Sequence, residues 1–133
     1  MCISQLAQTI ISLDGLVGLV AQDGNFLGLM SSDINHPNSV INPNTYANCY
    51  SQTIHNQYSQ YGGQYGSYSP YNSYCSNPPV LFLIDTNQQL ALLTQNQYII
   101  TSGLDIVDPD FMFGVLYELA RQQKFRRFDR SYL

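Results

Sequence analysis

Apolar residues recur along this chain in three rhythms, and each predicts a different element. Ile3, Leu6, Ala7, Ile10 and Leu13 fall on a helical period, which predicts an amphipathic helix within residues 1–15 that ends at Asp14-Gly15. From Leu16 the rhythm shortens. Two apolar runs flank Asp23-Gly24, a pair suited to a type I′ turn because both central residues need positive φ. A β-hairpin is therefore predicted over residues 16–33. A two-residue turn would set Ala21 opposite Phe26, Val20 opposite Leu27 and Leu19 opposite Gly28.

The same pattern returns 63 residues later, where Val17, Leu27 and Leu29 fall on Val80, Leu90 and Leu92. Asp23-Gly24 falls on Thr86-Asn87, and Asn still tolerates positive φ. This predicts a second hairpin over residues 80–97 and, by internal duplication, a pseudo-symmetric four-stranded antiparallel sheet. Leu81, Leu83, Leu90 and Leu92 would line one face; Val80, Phe82, Ile84, Ala91 and Leu93 would line the other. Apolar side chains on both faces require both to be covered. The helices at the two ends suit one face, and the segment between the hairpins suits the other. Asp108-Pro109 opens a second helix, because Asp accepts from the free amides of the first turn and Pro fits the first helical position. Phe111, Met112, Val115, Leu116 and Leu119 form its apolar stripe, which predicts a helix over 108–124 and a basic tail over 125–133.

The expected fold class is α+β: two related β-hairpins in one antiparallel sheet, terminal helices, and a long ordered Tyr/Asn-rich loop over residues 34–79 between the hairpins. All of it fits one domain over 1–133, the size at which a chain supports a modest single core.

The loop has its own pattern. Between Asp33 and Asp85 there is no Asp, Glu, Lys or Arg, yet the stretch holds eight of the eleven tyrosines. Val40-Ile41-Asn42-Pro43-Asn44, Ile54-His55-Asn56-Gln57-Tyr58 and Pro70-Tyr71-Asn72-Ser73-Tyr74 align at steps of 14 and then 16 residues. Asn42, Asn56, Tyr58, Asn72 and Tyr74 are thus expected to anchor the repeat, with buried rings and Asn side chains bonded to loop backbone. Tyr61, Tyr65, Tyr68 and Tyr71 fall between the anchors and are the expected contact residues. A Tyr/Asn/Ser/Gly composition admits a structural clasp, a recognition surface of the kind antibody loops use, or a prion-like disordered segment. The regular punctuation by Pro and Asn argues against the last.

Composition narrows the class of function. Apolar content is ordinary at 44% but charged residues are only 11%, so a protein of pI about 4.6 must rely on Asn, Gln, Ser and Tyr for hydration. Arg121, Lys124, Arg126, Arg127 and Arg130 are all of its Lys and Arg residues. Such an end complements a helix C-terminus or contacts an acidic partner, and it is a poor signature for nucleic acid. The first twenty residues lack Lys and Arg, and no run reaches the roughly 20 apolar residues of a membrane span, so a cytoplasmic location is expected. Cys2, Cys49 and Cys75 are an odd number, which favours free thiols, although Cys49 and Cys75 flank the loop and would staple it if paired.

The order of motifs carries a resemblance. Asp23-Gly24-Asn25-Phe26-Leu27-Gly28-Leu29-Met30-Ser31-Ser32 reads as D-G-x-[FY]-L-G-x-L-S-S, and S-x-I-x-N and Y-G-x-Y repeats follow it. With Asn77-Pro78-Pro79, Leu92-Leu93-Thr94-x-Asn96 and Asp108-Pro109, this resembles a family of small bacterial proteins frequent in cyanobacteria, over roughly residues 17–119. Asn48 and Cys49 depart from it, standing where Tyr-Gly belongs. The family brings no established activity, so the resemblance implies a shared fold and no mechanism.

Reaction chemistry is thinly represented. Cys49 or Cys75 with His36 or His55 would make a Cys–His nucleophile, but no Asp or Glu lies nearby in sequence to orient the base. The same four residues match no compact zinc-ligand spacing. Asp105, Asp108 and Asp110 lack the Gly and closing Glu of a calcium loop. Gly62-Gly63-x-x-Gly66 lies among tyrosines rather than between a strand and a helix, where a phosphate loop would sit. The sequence therefore points to a non-enzymatic protein-interaction or scaffold module, with a protein partner or a second copy as ligand, and with no cofactor, metal or catalytic residue. The alternative is a small-molecule or saccharide-binding protein using stacked Tyr rings. A Cys-His hydrolase ranks third.

Overall fold

The computed structural model describes residues 3–42, 53–101 and 103–131. In chain order the elements are α1 (Ile3–Ser12), β1 (Val17–Val20), β2 (Phe26–Met30), β3 (Val80–Leu83), β4 (Gln89–Leu93), β5 (Asp105–Val107) and α2 (Pro109–Ser131). The fold is α+β, with one five-stranded sheet of order β2-β1-β3-β4-β5 and a helix at each end of the chain. Four strands run antiparallel, but β5 pairs in parallel with β4, so the sheet is mixed rather than purely antiparallel.

α1 stops where expected. Gly15 takes φ +84°, a left-handed conformation that costs glycine little, and its amide reaches the Met30 carbonyl at 2.8 Å. The Asp14 carboxylate then holds the end of β2, accepting from the Ser32 amide at 2.7 Å and the Ser32 hydroxyl at 2.5 Å. At α2, Asp108 accepts from the Asp110 amide at 3.0 Å, the cap that Asp108-Pro109 implies. The helix continues to Ser131, so the segment after 124 is helix rather than a separate tail. Arg121 pairs with Glu118 on the next turn of the same helix.

The two hairpins share strand boundaries at the 63-residue offset, and their turns match as well. Gly24 and Asn87 both have positive φ. Asn25 donates its amide to Asp23 Oδ1, and Gln88 donates its amide to Thr86 Oγ1. The hairpins are not equivalent in the sheet, however. β1 meets β3 with Leu19 opposite Leu81, whereas the offset equates Leu19 with Phe82. A shift of one residue turns every side chain to the other face. Leu19 and Leu81 therefore enter the core, while Phe82 lies on the opposite side. Bulges follow at Leu19/Val20 and Leu81/Phe82, so Val20 meets Phe26 rather than Leu27, and Leu81 shares its face with Ala91 and the bulged Leu90 rather than with Leu92.

One apolar cluster holds the molecule together. It joins Ile10 of α1, Val17, Leu19, Met30, Leu81 and Leu93 of the sheet, and Met112, Phe113 and Leu116 of α2. Val40, Ile41 and Ile54 from the loop enter this same cluster, so helices and loop share one side instead of dividing the two faces. The second face carries the rings of Phe82 and Phe26 over Gly18, where an added Cβ would come within 2.7 Å of Phe82. Phe26 and Ile84 remain 51% and 43% exposed. Among the described residues, no helix is long and apolar enough to cross a membrane.

Candidate functional site: a coil of turns bearing tyrosines

Over residues 53–75 the Tyr-rich segment is a coil built on a period of three. Thr53, Asn56, Ser59 and Gly62 are linked in series, each amide donating to the carbonyl three residues back at 3.2, 3.0 and 3.3 Å. After a one-residue slip at Gly62-Gly63 the series resumes through Gly66, Ser69, Asn72 and Cys75 at 3.0, 3.4, 3.3 and 3.0 Å. Asp33, His36, Ser39 and Asn42 form the same chain just after β2, each link 3.1 Å. In sequence the coil is a run of small-x-Tyr triplets: Asn56-Gln57-Tyr58, Ser59-Gln60-Tyr61, Gly63-Gln64-Tyr65, Gly66-Ser67-Tyr68, Ser69-Pro70-Tyr71 and Asn72-Ser73-Tyr74.

The first residue of each triplet faces the crowded inside, and its chemistry follows from what it meets. Six residues back lies a carbonyl. Ser59 donates its hydroxyl to Thr53 at 2.7 Å, Asn42 its amide to His36 at 3.0 Å, and Asn72 its amide to Gly66 at 2.9 Å. Where the coil is tighter there is no room for any side chain. A Cβ on Gly62 would lie 2.4 Å from the Ile54 carbonyl oxygen, and one on Gly66 would lie 2.5 Å from that of Gln60. These glycines answer to space, since neither has positive φ. Buried carbonyls left without a donor are costly, so Ser and Asn stand where a carbonyl needs one and Gly where a carbonyl leaves no room.

Each Asn also fixes the tyrosine two residues on. Asn56, Asn72 and Asn96 accept the backbone amides of Tyr58, Tyr74 and Tyr98 at 2.9, 3.0 and 3.0 Å. Asn96, beyond β4, extends the device by donating its side chain to the Cys75 carbonyl at 2.9 Å, which ties the end of the coil to the sheet. Gln95 adds a backbone bond to Pro70 at 2.8 Å.

The rings do not lie where the 14- and 16-residue alignment puts them. Tyr58 and Tyr74, expected as buried anchors, are 79% and 88% exposed. Turns closed by Asn direct these side chains outward; only the Asn residues act as anchors. Tyr61, expected as a contact residue, is 3% exposed. Its hydroxyl donates to Asp23 and accepts from Asn25 at 2.6 Å, while its ring lies 6.0 Å from that of Tyr68 in a stacked arrangement. Tyr68 is half-buried, and Tyr71 packs against the main core beside α2. Burial, reinforced by Asp110, Tyr117 and Asp108, pushes the Tyr71 phenol far above its ordinary range. Of the four expected contact residues only Tyr65 is fully exposed, at 84%. Tyr98, which lies outside the loop, is 93% exposed and belongs with Tyr58, Tyr65 and Tyr74. The signal that finds it is the shared Asn-x-Tyr spacing.

Tyr58 and Tyr65 border an open groove of about 540 Å³ floored by the coil, with Gln57, Gln60 and Gln64 along it. The groove has no charged residue.

Of the residues considered for catalysis or metal binding, Cys75, His36, His55, Asp108 and Asp110 are engaged elsewhere. Cys75 is a free, buried thiol that donates to the Ser67 carbonyl at 3.2 Å, and burial raises its pKa, the opposite of nucleophile activation. His55 places Nε2 on the Val40 carbonyl and its ring 5.0 Å from Phe113; burial lowers its pKa. His36 accepts the Asn38 amide through Nδ1 at 3.0 Å. Cys2 and Cys49 lie outside the described residues. Among those described, no three His, Cys, Asp or Glu side chains gather to hold a metal ion. Asp108 caps α2 and Asp110 accepts from Gln95 at 3.1 Å. Comparison of the chain with protein-family models, curated proteins and solved structures finds no match.

Proposed function

We propose that this protein is a non-enzymatic recognition module of the cytoplasm, and that the outer surface of the turn coil is its contact face. One observation carries the reading: Tyr58, Tyr65, Tyr74 and Tyr98 are 79–93% exposed, and Asn side chains hold the backbone amides of Tyr58, Tyr74 and Tyr98 in place. A large ring kept in water on an ordered scaffold adds nothing to the core. It supplies apolar contact area at a low cost in side-chain ordering, and Tyr is frequent among residues that dominate binding energy. The ligand is a protein partner or a second copy of the chain, and the cationic stretch from Arg121 to Arg130 offers an acidic partner a further contact. The family resemblance is consistent with a shared scaffold and adds no chemistry. Tyr58→Ala, Tyr65→Ala and Tyr74→Ala variants, compared with wild type for partner capture and for sedimentation, test this reading. It requires binding or self-association to fall while the melting temperature holds.

The groove favours a second reading. Two exposed rings beside three uncharged amides suit a hydroxyl-rich saccharide, which stacks its C–H faces on Tyr and bonds to Gln. Titration with neutral oligosaccharides, read by chemical shifts at Gln57, Gln60 and Gln64, separates it from the first: saturable shifts there without protein capture favour the saccharide.

A further inference from the structure

A second, unrelated site lies between α1 and the sheet. Leu6, Ile10 and Leu13 of α1 roof an apolar slot whose floor includes Met30, Leu81 and Ala91. Its volume is about 180 Å³, and hydrophobic side chains make nearly all of its wall. Protein interiors are close-packed, with few voids larger than a water molecule. An apolar cavity of roughly 150 Å³ stays dry and admits a benzene-sized guest. The slot is therefore of a size and character for a short hydrocarbon chain or a single ring.

Its rim carries one charge. Asp105 lines the slot from β5, where it pairs with Ala91, so both side chains rise from the same face of the sheet. Asp105 is exposed, and the sequence contains no Lys or Arg before Arg121. The first cationic side chain in sequence order, that of Arg121, is paired with Glu118. A carboxylate above an apolar slot complements a ligand that is apolar along its body and positive at one end.

We propose that this slot binds small apolar amines: an alkyl chain or ring seated beneath α1, with its ammonium group at the Asp105 carboxylate. The hydrocarbon provides most of the affinity, since it leaves water for a surface made of Leu, Ile, Met and Ala. The charge pair sits at an exposed rim and contributes selectivity rather than strength. The site is independent of the coil, so its presence or absence says nothing about the tyrosines.

The test is an amide chemical-shift titration of the full chain with n-hexylamine, n-hexanol and hexanoate at neutral pH. The expected result is saturable shifts at Leu6, Ile10 and Ala91. n-Hexylamine should bind about threefold more tightly than n-hexanol, the size of an exposed charge pair, and hexanoate more weakly than either. One molar salt should erase the preference for the amine. Asp105→Asn, at an exposed position that leaves the core intact, should bring n-hexylamine and n-hexanol to equal affinity. Leu6→Trp should fill the slot from the half-buried face of α1 and abolish binding of both. Equal binding of amine and alcohol by wild type overturns the proposal. So do an undiminished preference in Asp105→Asn, unchanged binding in Leu6→Trp, and shifts confined to residues outside the slot.

Discussion

The Tyr61 hydroxyl donates to Asp23 Oδ2 at 2.5 Å, and through this bond the turn coil is fastened to the tip of the first hairpin. Asn25 completes the junction by donating to the same hydroxyl at 2.6 Å. The bond from Tyr61 is the chief reason that Asp23 titrates below the ordinary carboxylate range, and the bond to Asp23 is the chief reason that Tyr61 titrates above the ordinary phenol range. The two shifts have opposite consequences for stability. A carboxylate depressed in the folded state contributes stability above its unfolded pKa of about 3.9 and loses it as pH falls through the folded value. A phenol raised in the folded state contributes below about 10 and loses its share as pH rises through the folded value. Asp23→Asn retains an acceptor for the turn but removes the charge. Its melting temperature should lie below that of wild type between about pH 5 and 9, and the two curves should converge at both extremes. His55 acts separately: burial lowers its pKa, so its contribution is present above about 6.5 and falls away as pH drops. The slope near pH 6 should therefore survive in Asp23→Asn and flatten in His55→Gln. Melting curves over pH 3–11 check both.

The exposed and buried tyrosines should separate cleanly in stability. Tyr61→Ala removes a ring that is 3% exposed and should cost about 3 kcal/mol, as other large buried rings do. Tyr58→Ala and Tyr74→Ala remove rings that are 79% and 88% exposed and should stay within about 0.5 kcal/mol of wild type. Denaturant unfolding of the three variants measures this. Losses of similar size at Tyr58 and Tyr61 would contradict the placement of the rings.

Two glycines test the reason for the coil's composition. Gly62→Ala puts a Cβ within 2.6 Å of two carbonyl oxygens, those of Ile54 and Asn56, and neither belongs to a side chain that can turn aside. It should destabilise by about 2 kcal/mol or more. Gly114→Ala, in the middle of α2 with nothing within 4 Å, should stabilise by about 0.5–1 kcal/mol because alanine loses less freedom in a helix. The same chemical change thus has opposite signs at the two positions.

Much of the fold is legible in the sequence because it rests on local chemistry. Asp108-Pro109, Asp23-Gly24 and the helical spacing of Ile3 to Leu13 each specify an element without reference to the rest of the chain. β5 is not legible. Asp105-Ile106-Val107 is too short to show a period, and its parallel partner β4 is reached only through tertiary packing. The two hairpins illustrate a different limit. Strand boundaries and turns repeat at 63 residues, but which face a side chain takes depends on the register between β1 and β3, which no single strand encodes. In the coil, three copies of an Asn-containing unit draw the eye to steps of 14 and 16. The physical unit is the triplet, because one turn closes every three residues and its first position meets the carbonyls of the preceding turns. Reading Ser59, Gly63, Gly66 and Ser69 as equivalents of Asn56 and Asn72 recovers it. That view leaves the Asn-x-Tyr rings outside and accounts for Tyr98 as well.

The claim that these rings form a contact face is tested most directly by hydroxyl-radical footprinting, read residue by residue by mass spectrometry. Purified protein is compared with the same protein in native cell extract. In the purified protein Tyr58, Tyr65, Tyr74 and Tyr98 should be modified rapidly and Tyr61 slowly. In extract those four should be protected, while Phe26 and Ile84 on the open sheet face keep their reactivity. Equal modification of the four tyrosines in both conditions, or protection confined to Phe26 and Ile84, would contradict it.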